Sequence, residues 1–124
     1  MAELSMADLF AMETEVMKID IEGKKTGAQK KTPILGSIYV KEFNSRDRRK
    51  LHKLCGVDET RIPASYIIYG VCDKNGVRKF METDEMTLEE LVTKITERPD
   101  MVVAQMLAAV MKVNSKDEKA TAKN

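Results

Sequence analysis

The segment Met101–Val113 constrains the fold more than any other part of this chain. Only Gln105 and Lys112 are polar within it, so a helix formed by this segment is apolar on nearly every side. Pro99 breaks any helix that arrives from the N-terminal side, and the sequence predicts a helix from Asp100 to about Asn114. Such a helix must be covered almost all round. The cover is either the core of the chain itself or another subunit or partner.

The remaining composition places this helix in a water-soluble domain. The chain has 124 residues, of which 43% are hydrophobic, enough for one domain with a sizeable core. It contains no apolar run of about 18 residues, the length that a membrane-spanning helix needs. The first residues lack a basic segment followed by an apolar one, so we expect no secretory signal and a cytoplasmic location.

Apolar periodicity and capping residues predict most of the other elements. Ser5, with Asp8 three residues later, predicts the start of a short amphipathic helix. Asn44 or Ser45 caps a charged helix that stops at Gly56, and Thr87 opens a capping box. The predicted elements are a helix over Met6–Met17, strands over Lys18–Glu22 and Ile34–Val40, a turn over Gly23–Gly27, and helices over Arg46–Leu54 and from Leu88 to about Glu97.

A β-hairpin is predicted around the turn Asp73-Lys74-Asn75-Gly76. Its strands are Tyr66–Cys72, which is rich in β-branched and aromatic residues, and Val77–Met81. A helix over Ser65–Val71 stays open as the alternative, because an apolar run this short has no decisive periodicity.

Together these elements predict an α+β fold with a small set of antiparallel strands or a hairpin and about four helices. The C-terminal half is mainly helical. We expect a single domain over residues 1–114 and a disordered tail over 115–124, since the tail has no large apolar residue.

The charge is distributed unevenly, although the net charge is only +1. Residues 1–23 carry one Lys against six acidic residues, and residues 24–54 carry ten basic residues against two acidic ones. The basic block fits either a nucleic-acid surface or a head-to-tail contact between subunits. The nine Met and the scarcity of aromatic residues favour an adaptable apolar binding surface over a rigid pocket.

No motif in the sequence indicates catalysis, a cofactor or a metal site. His52, Cys55 and Cys72 supply three zinc ligands where a structural site needs four, and no phosphate-binding or dinucleotide-binding loop is present. The basic block lacks the known nucleic-acid signatures and has no interleaved aromatic residues. The sequence therefore favours a protein partner, and a small nucleic-acid-binding or regulatory protein that uses Lys24–Lys53 is the alternative.

The order of features over residues 38–114 resembles that of the tail assembly chaperones of long-tailed bacteriophages. The segment 39–48, YVKEFNSRDR, resembles that family's passage from a strand through a polar cap into a charged helix. The segment 67–80, IIYGVCDKNGVRKF, is similar to its apolar run, Asp-x-x-Gly turn and Phe. An acidic stretch, a helix over Met86–Ile95 and a last apolar helix that ends at Val113-Asn114 follow in the family's order.

This resemblance implies a non-catalytic protein that binds the tape measure protein, keeps it soluble and helps to recruit tail tube protein during tail assembly. It implies a homo-oligomer that works in the host cytoplasm and is absent from the mature virion. It also implies a longer product made by a programmed frameshift. No cofactor and no membrane contact are expected.

The sequence also predicts which residues carry these roles. We expect the apolar face of the last helix to bind the partner and a turn and its anchor to shape the fold. The predicted binding residues are Met101, Val103, Met106, Leu107, Val110 and Met111, and the predicted structural ones are Asp73, Gly76 and Phe80.

Overall fold

A three-stranded antiparallel sheet forms one layer of the molecule. The computed structural model describes residues 3–25, 27 and 31–122, with side chains through Ser115. The strands are β1 (Val16–Glu22), β2 (Ile34–Lys41) and β3 (Val71–Cys72), in the order β1-β2-β3. The register places Ile19 opposite Ile38, and it shifts between Ile21 and Glu22. The predicted β1–β2 turn falls partly on Thr26, which lies outside the described residues.

Among the described residues, five α-helices and one short 3-10 turn accompany the sheet, which confirms the predicted α+β class. Their bounds are α1 (Met6–Ala11), α2 (Ser45–Cys55), the 3-10 turn (Glu59–Arg61), α3 (Ile62–Gly70), α4 (Leu88–Thr96) and α5 (Asp100–Ala122). Helix α5 continues to Ala122, beyond its predicted end at about Asn114. Most side chains from Ser115 onward lie outside the described part, and the disorder of the tail stays a prediction.

The helix termini follow the capping signals in the sequence. The Asn44 side chain accepts a hydrogen bond from the Asp47 N–H at 2.8 Å, and the Thr87 hydroxyl accepts one from the Glu90 N–H at 3.2 Å. Gly56 ends α2 with a φ of +58°, a conformation that glycine adopts without strain. These interactions fix where α2 and α4 begin and where α2 ends.

The predicted first helix, Met6–Met17, is too long. Helix α1 ends at Ala11 because Met12 is extended, and the following residues join the sheet. The Glu42 N–H donates to the Glu15 carbonyl at 2.8 Å, so the hydrogen bonding between β1 and β2 begins just before Val16.

The predicted hairpin is wrong over Tyr66–Gly70, which are helical, and the alternative helix is correct there. The hairpin's second strand, Val77–Met81, is also wrong, because among these residues only Arg78 forms a bridge, to Cys72. Pro63 lies in the first turn of α3, where its missing N–H costs nothing. Ile67, Ile68 and Tyr69 are all buried, because α3 contacts α2, α4 and α5. A helix surrounded in this way is apolar all round, so its sequence shows no amphipathic periodicity from which the helix could be predicted.

Two amide side chains fix α5 to the sheet at opposite ends. The Gln105 amide accepts a hydrogen bond from the Glu22 N–H at 2.7 Å and donates to the Glu22 carbonyl at 2.8 Å. The buried Asn114 amide accepts from the Phe43 N–H at 2.8 Å and donates to the Lys41 carbonyl at 3.3 Å. Between them, Ala109, Val110 and Val113 enter the core.

Replacement of Asn114 by Ala removes the side-chain oxygen that accepts a hydrogen bond from the Phe43 N–H at a buried site. We expect Asn114→Ala to lower the free energy of unfolding by about 1–3 kcal/mol, as for an unsatisfied buried donor. Urea unfolding followed by circular dichroism measures this loss. Gln105→Ala is the matched control, since water can replace the more exposed Gln105 amide and the loss should be smaller. Equal losses would contradict this account of α5.

Helices α3 and α5 approach closely at Gly70, where a Cβ atom would lie 2.5 Å from the Val110 Cγ1. We expect Gly70→Ala to destabilise the protein by about 1–3 kcal/mol through overpacking. Adding Val110→Ala makes room, so the double variant should lose less than the sum of the two single losses. Gly36→Ala is the control, because nothing lies within 4 Å of a Cβ atom there. Additive losses in urea unfolding would exclude direct contact.

Candidate partner-binding surface

Helix α5 separates the six predicted binding residues into different environments. Val110 is fully buried and Met106 is 7% exposed, so both belong to the chain's own core. Met101 and Met111 are 41% and 50% exposed. Val103 and Leu107 are partly buried. The prediction of one binding face is thus corrected for Met106 and Val110, because an all-apolar helix does not reveal which side faces the core.

The side of α5 that faces solvent carries a continuous apolar strip with small residues at its centre. Ala104 and Ala108 are exposed and lie between Met101 and Met111. The four positions follow the alternating 3,4 spacing of a coiled-coil seam. We call these four residues the α5 strip. Sequence reasoning missed the two alanines, although the 3,4 spacing was available as a signal.

A second apolar surface lies between α4 and α5. This α4–α5 groove has a volume of about 470 Å³. Its apolar lining comes from α4, α5 and the segment between β3 and α4, and its rim carries Lys94 and Arg98. The apolar residues that line it are Phe80, Met86, Leu91, Ile95, Val102 and Met106.

Arg61 holds the start of α4, a helix that also lines this groove, in place. Its guanidinium donates to both carboxylate oxygens of Glu89, at 2.8 and 2.7 Å, and to the Leu54 carbonyl at 3.0 Å. The hydrogen bonds from Arg61 lower the pKa of the Glu89 carboxyl below its usual value. The pair therefore connects the end of α2 to the first turn of α4.

The Asp73 carboxylate and two backbone hydrogen bonds hold the predicted structural turn. Asp73 accepts hydrogen bonds from the N–H groups of Asn75 and Val77, at 2.8 and 3.0 Å. Gly76 has a φ of +82°, which this turn requires and glycine provides. The chain then returns past β3 through a bridge between Cys72 and Arg78. Phe80 follows this bridge. Its side chain is partly buried, packs against the core and lines the α4–α5 groove.

The N-terminal residues form an arm with apolar side chains on its surface. Helix α1 has no buried residue, and Phe10 is 81% exposed. Ser5 and Asp8 form a reciprocal capping box, in which the Ser5 N–H lowers the pKa of the Asp8 carboxyl. Sequence reasoning gave α1 no role.

The basic residues of the alternative function lie mostly on the outer side of α2. Arg46, Arg49, Lys50 and Lys53 are exposed there. Arg48 instead lies over the Phe43 ring, with its guanidinium carbon 5.5 Å from the ring centre. The β1–β2 loop adds Lys24 and Lys31, while Lys30 is outside the described residues. A basic face therefore exists on α2.

The three residues considered as zinc ligands lie in different surroundings. Cys72 is fully buried, and burial raises the pKa of its thiol, which keeps it protonated. Cys55 is half-buried, and His52 is exposed. In the described part of the chain, no three His, Cys, Asp or Glu side chains are grouped closely enough to hold a metal ion.

No helix among the described residues has the length and apolar character needed to cross a membrane.

Comparison with known proteins identifies no relative of this chain. The chain matches no protein-family model, no curated protein and no solved structure.

Proposed function

We propose that this chain is a non-catalytic tail assembly chaperone of a long-tailed bacteriophage. In this role it binds the tape measure protein, keeps it soluble and helps to recruit tail tube protein during assembly. It acts as a homo-oligomer in the host cytoplasm and is not retained in the mature virion. The observation that carries the proposal is the exposed α5 strip on a helix whose other side is fixed in the core.

The dimensions of the α5 strip suit an amphipathic helix as its partner. Ala104 and Ala108 have short side chains, so the backbone of a second helix can approach closely at the centre of the strip. Met101 and Met111 lie at the two ends, and their flexible thioethers adapt to different apolar side chains. A tape measure protein contains long helices with repeated apolar seams. Such seams are the kind of ligand that a methionine-flanked strip accommodates.

The anchoring of α5 keeps this strip in a fixed position. Asn114 and Gln105 hold the helix to the sheet, and Val110 and Val113 pack behind the strip in the core. A partner helix therefore meets a preorganised surface, which lowers the entropic cost of binding. The order of sequence features over residues 38–114 supports the same function through its resemblance to the chaperone family.

A charge at the centre of the α5 strip should abolish tape measure binding without unfolding the protein. Ala108→Glu places a carboxylate against the partner's apolar seam, where its desolvation is costly. The readout is solubility and co-purification of the tape measure protein encoded in the same genome, co-expressed with each variant. We expect a loss of at least about 10-fold in recovered complex.

Val57→Glu is the matched control, because Val57 is an exposed apolar residue far from α5 in the sequence. Circular dichroism should show the same fold for both variants. Binding of the wild type should change little with salt, whereas a nucleic-acid function of the basic α2 face predicts a steep loss. A wild-type chain that leaves the tape measure insoluble would contradict the proposal.

A further inference from the structure

The arm at the start of the chain presents an apolar face that its own domain does not cover. We define the arm as residues 3–13. Met6, Leu9 and Phe10 lie within one stripe of α1, and all three are exposed. The Ser5–Asp8 capping box holds the helix in this form, with hydrogen bonds of 2.9 and 3.1 Å. The stripe is therefore displayed as a formed surface.

The α4–α5 groove has the apolar character that this stripe needs. Phe80, Met86 and Val102 are only partly buried along its length, so apolar surface is open to solvent. Its volume of about 470 Å³ admits a large side chain such as that of Phe10. An aromatic anchor placed in an apolar groove is a common form of interface hot spot.

The charges of the two surfaces are opposite. The arm carries Glu3, Asp8 and Glu13 and contains no Lys or Arg. The rim of the groove carries Lys94 and Arg98, which are both exposed. Docking of the stripe into the groove would bring acidic residues beside basic ones, which orients the contact.

The path of the chain places the start of β1, where the arm joins the sheet, and the groove of the same copy at different positions along α5. The arm enters the sheet at Val16, which pairs with Lys41, the residue whose carbonyl Asn114 binds. The groove lies at Val102 and Met106 on α5, roughly 12–18 Å further along the helix axis at about 1.5 Å per residue.

The arm of the same copy does not lie in this groove. Helix α1 has no buried residue and Phe10 is 81% exposed. The residues that follow α1 instead lie beside the turn after β3, since Met12 and Glu13 line a pocket together with Asn44 and Gly76. The groove is therefore open to the arm of a second copy.

We propose that the arm of one copy docks in the α4–α5 groove of a second copy, with Phe10 as its anchor. The proposal deepens the homo-oligomer that belongs to the proposed function, since it names the two surfaces that meet. The contact joins two different surfaces, so it closes when two copies exchange arms and extends into a chain or ring when they do not.

Sedimentation of the full chain over a range of concentrations tests the anchor. We expect the wild type to self-associate and Phe10→Ser to raise the dissociation constant by about 10-fold or more. Val57→Ser is the matched control and should associate like the wild type. A wild type that stays monomeric at every concentration would overturn the proposal. So would a Phe10→Ser variant that associates normally.

Charge reversal tests the pairing of arm and groove. One variant carries Glu3→Lys with Glu13→Lys, and another carries Lys94→Glu with Arg98→Glu. Each should associate weakly alone, because its arm and groove then have the same sign. Mixed together, the two should form a hetero-complex, since each arm then meets a groove of opposite sign. A mixture no stronger than either variant would overturn the proposed contact.

Two further measurements separate this proposal from the proposed function. If Ala108→Glu abolishes self-association while Phe10→Ser does not, the copies meet through the α5 strip and the arm contact is wrong. If the wild type fails to bind the tape measure protein, the proposed function fails, but the sedimentation results for the arm stand unchanged. The two failures are therefore distinguishable.

Discussion

The hydrogen bonds of two amide side chains to the strand backbones are the interactions on which the rest of this structure depends. The Asn114 amide forms hydrogen bonds with the backbone of Lys41 and Phe43 where β2 ends. The Gln105 amide forms hydrogen bonds with the backbone of Glu22 where β1 ends. A helix as apolar as α5 is able to pack in many rotations, because each side offers similar hydrophobic surface. Only one of these rotations places both amide side chains within hydrogen-bond distance of backbone groups, so the two amides select that rotation. That choice decides which apolar residues enter the core and which remain outside.

Local signals in the sequence predicted the parts of the fold that local chemistry controls. Asn44, Thr87 and Gly56 start or end helices through contacts within one turn, and the two long strands follow from their patterns. Tyr66–Gly70 were predicted wrongly because their helix is enclosed by three others. In that setting, β-branched and aromatic residues lose their strand preference to tertiary packing. The end of α1 was missed because the pairing of Glu15 with Glu42 is non-local.

The sequence predicted which helix carries the candidate binding surface, but it did not predict which side of that helix is exposed. The sequence identified α5 as the unusual element, and Met101 and Met111 are exposed there. Met106 and Val110 were assigned to the same surface because nothing in an all-apolar pattern marks the buried side. The signals that do mark it are Gln105 and Asn114, whose roles appear only when the strands are in place. The groove was not predictable, since α4, α5 and Phe80 come together through tertiary structure.

The contact between Gln105 and Glu22 also bears on aggregation. β1 is an edge strand of the sheet, and an edge strand offers unpaired backbone groups to any other extended chain. Gln105 forms hydrogen bonds with both the N–H and the carbonyl of Glu22, so these two backbone groups at one end of the edge are not available to another strand. Lys18 and Asp20 place exposed charges along the rest of it. The exposed edge of β1 is thereby protected against the addition of another extended chain.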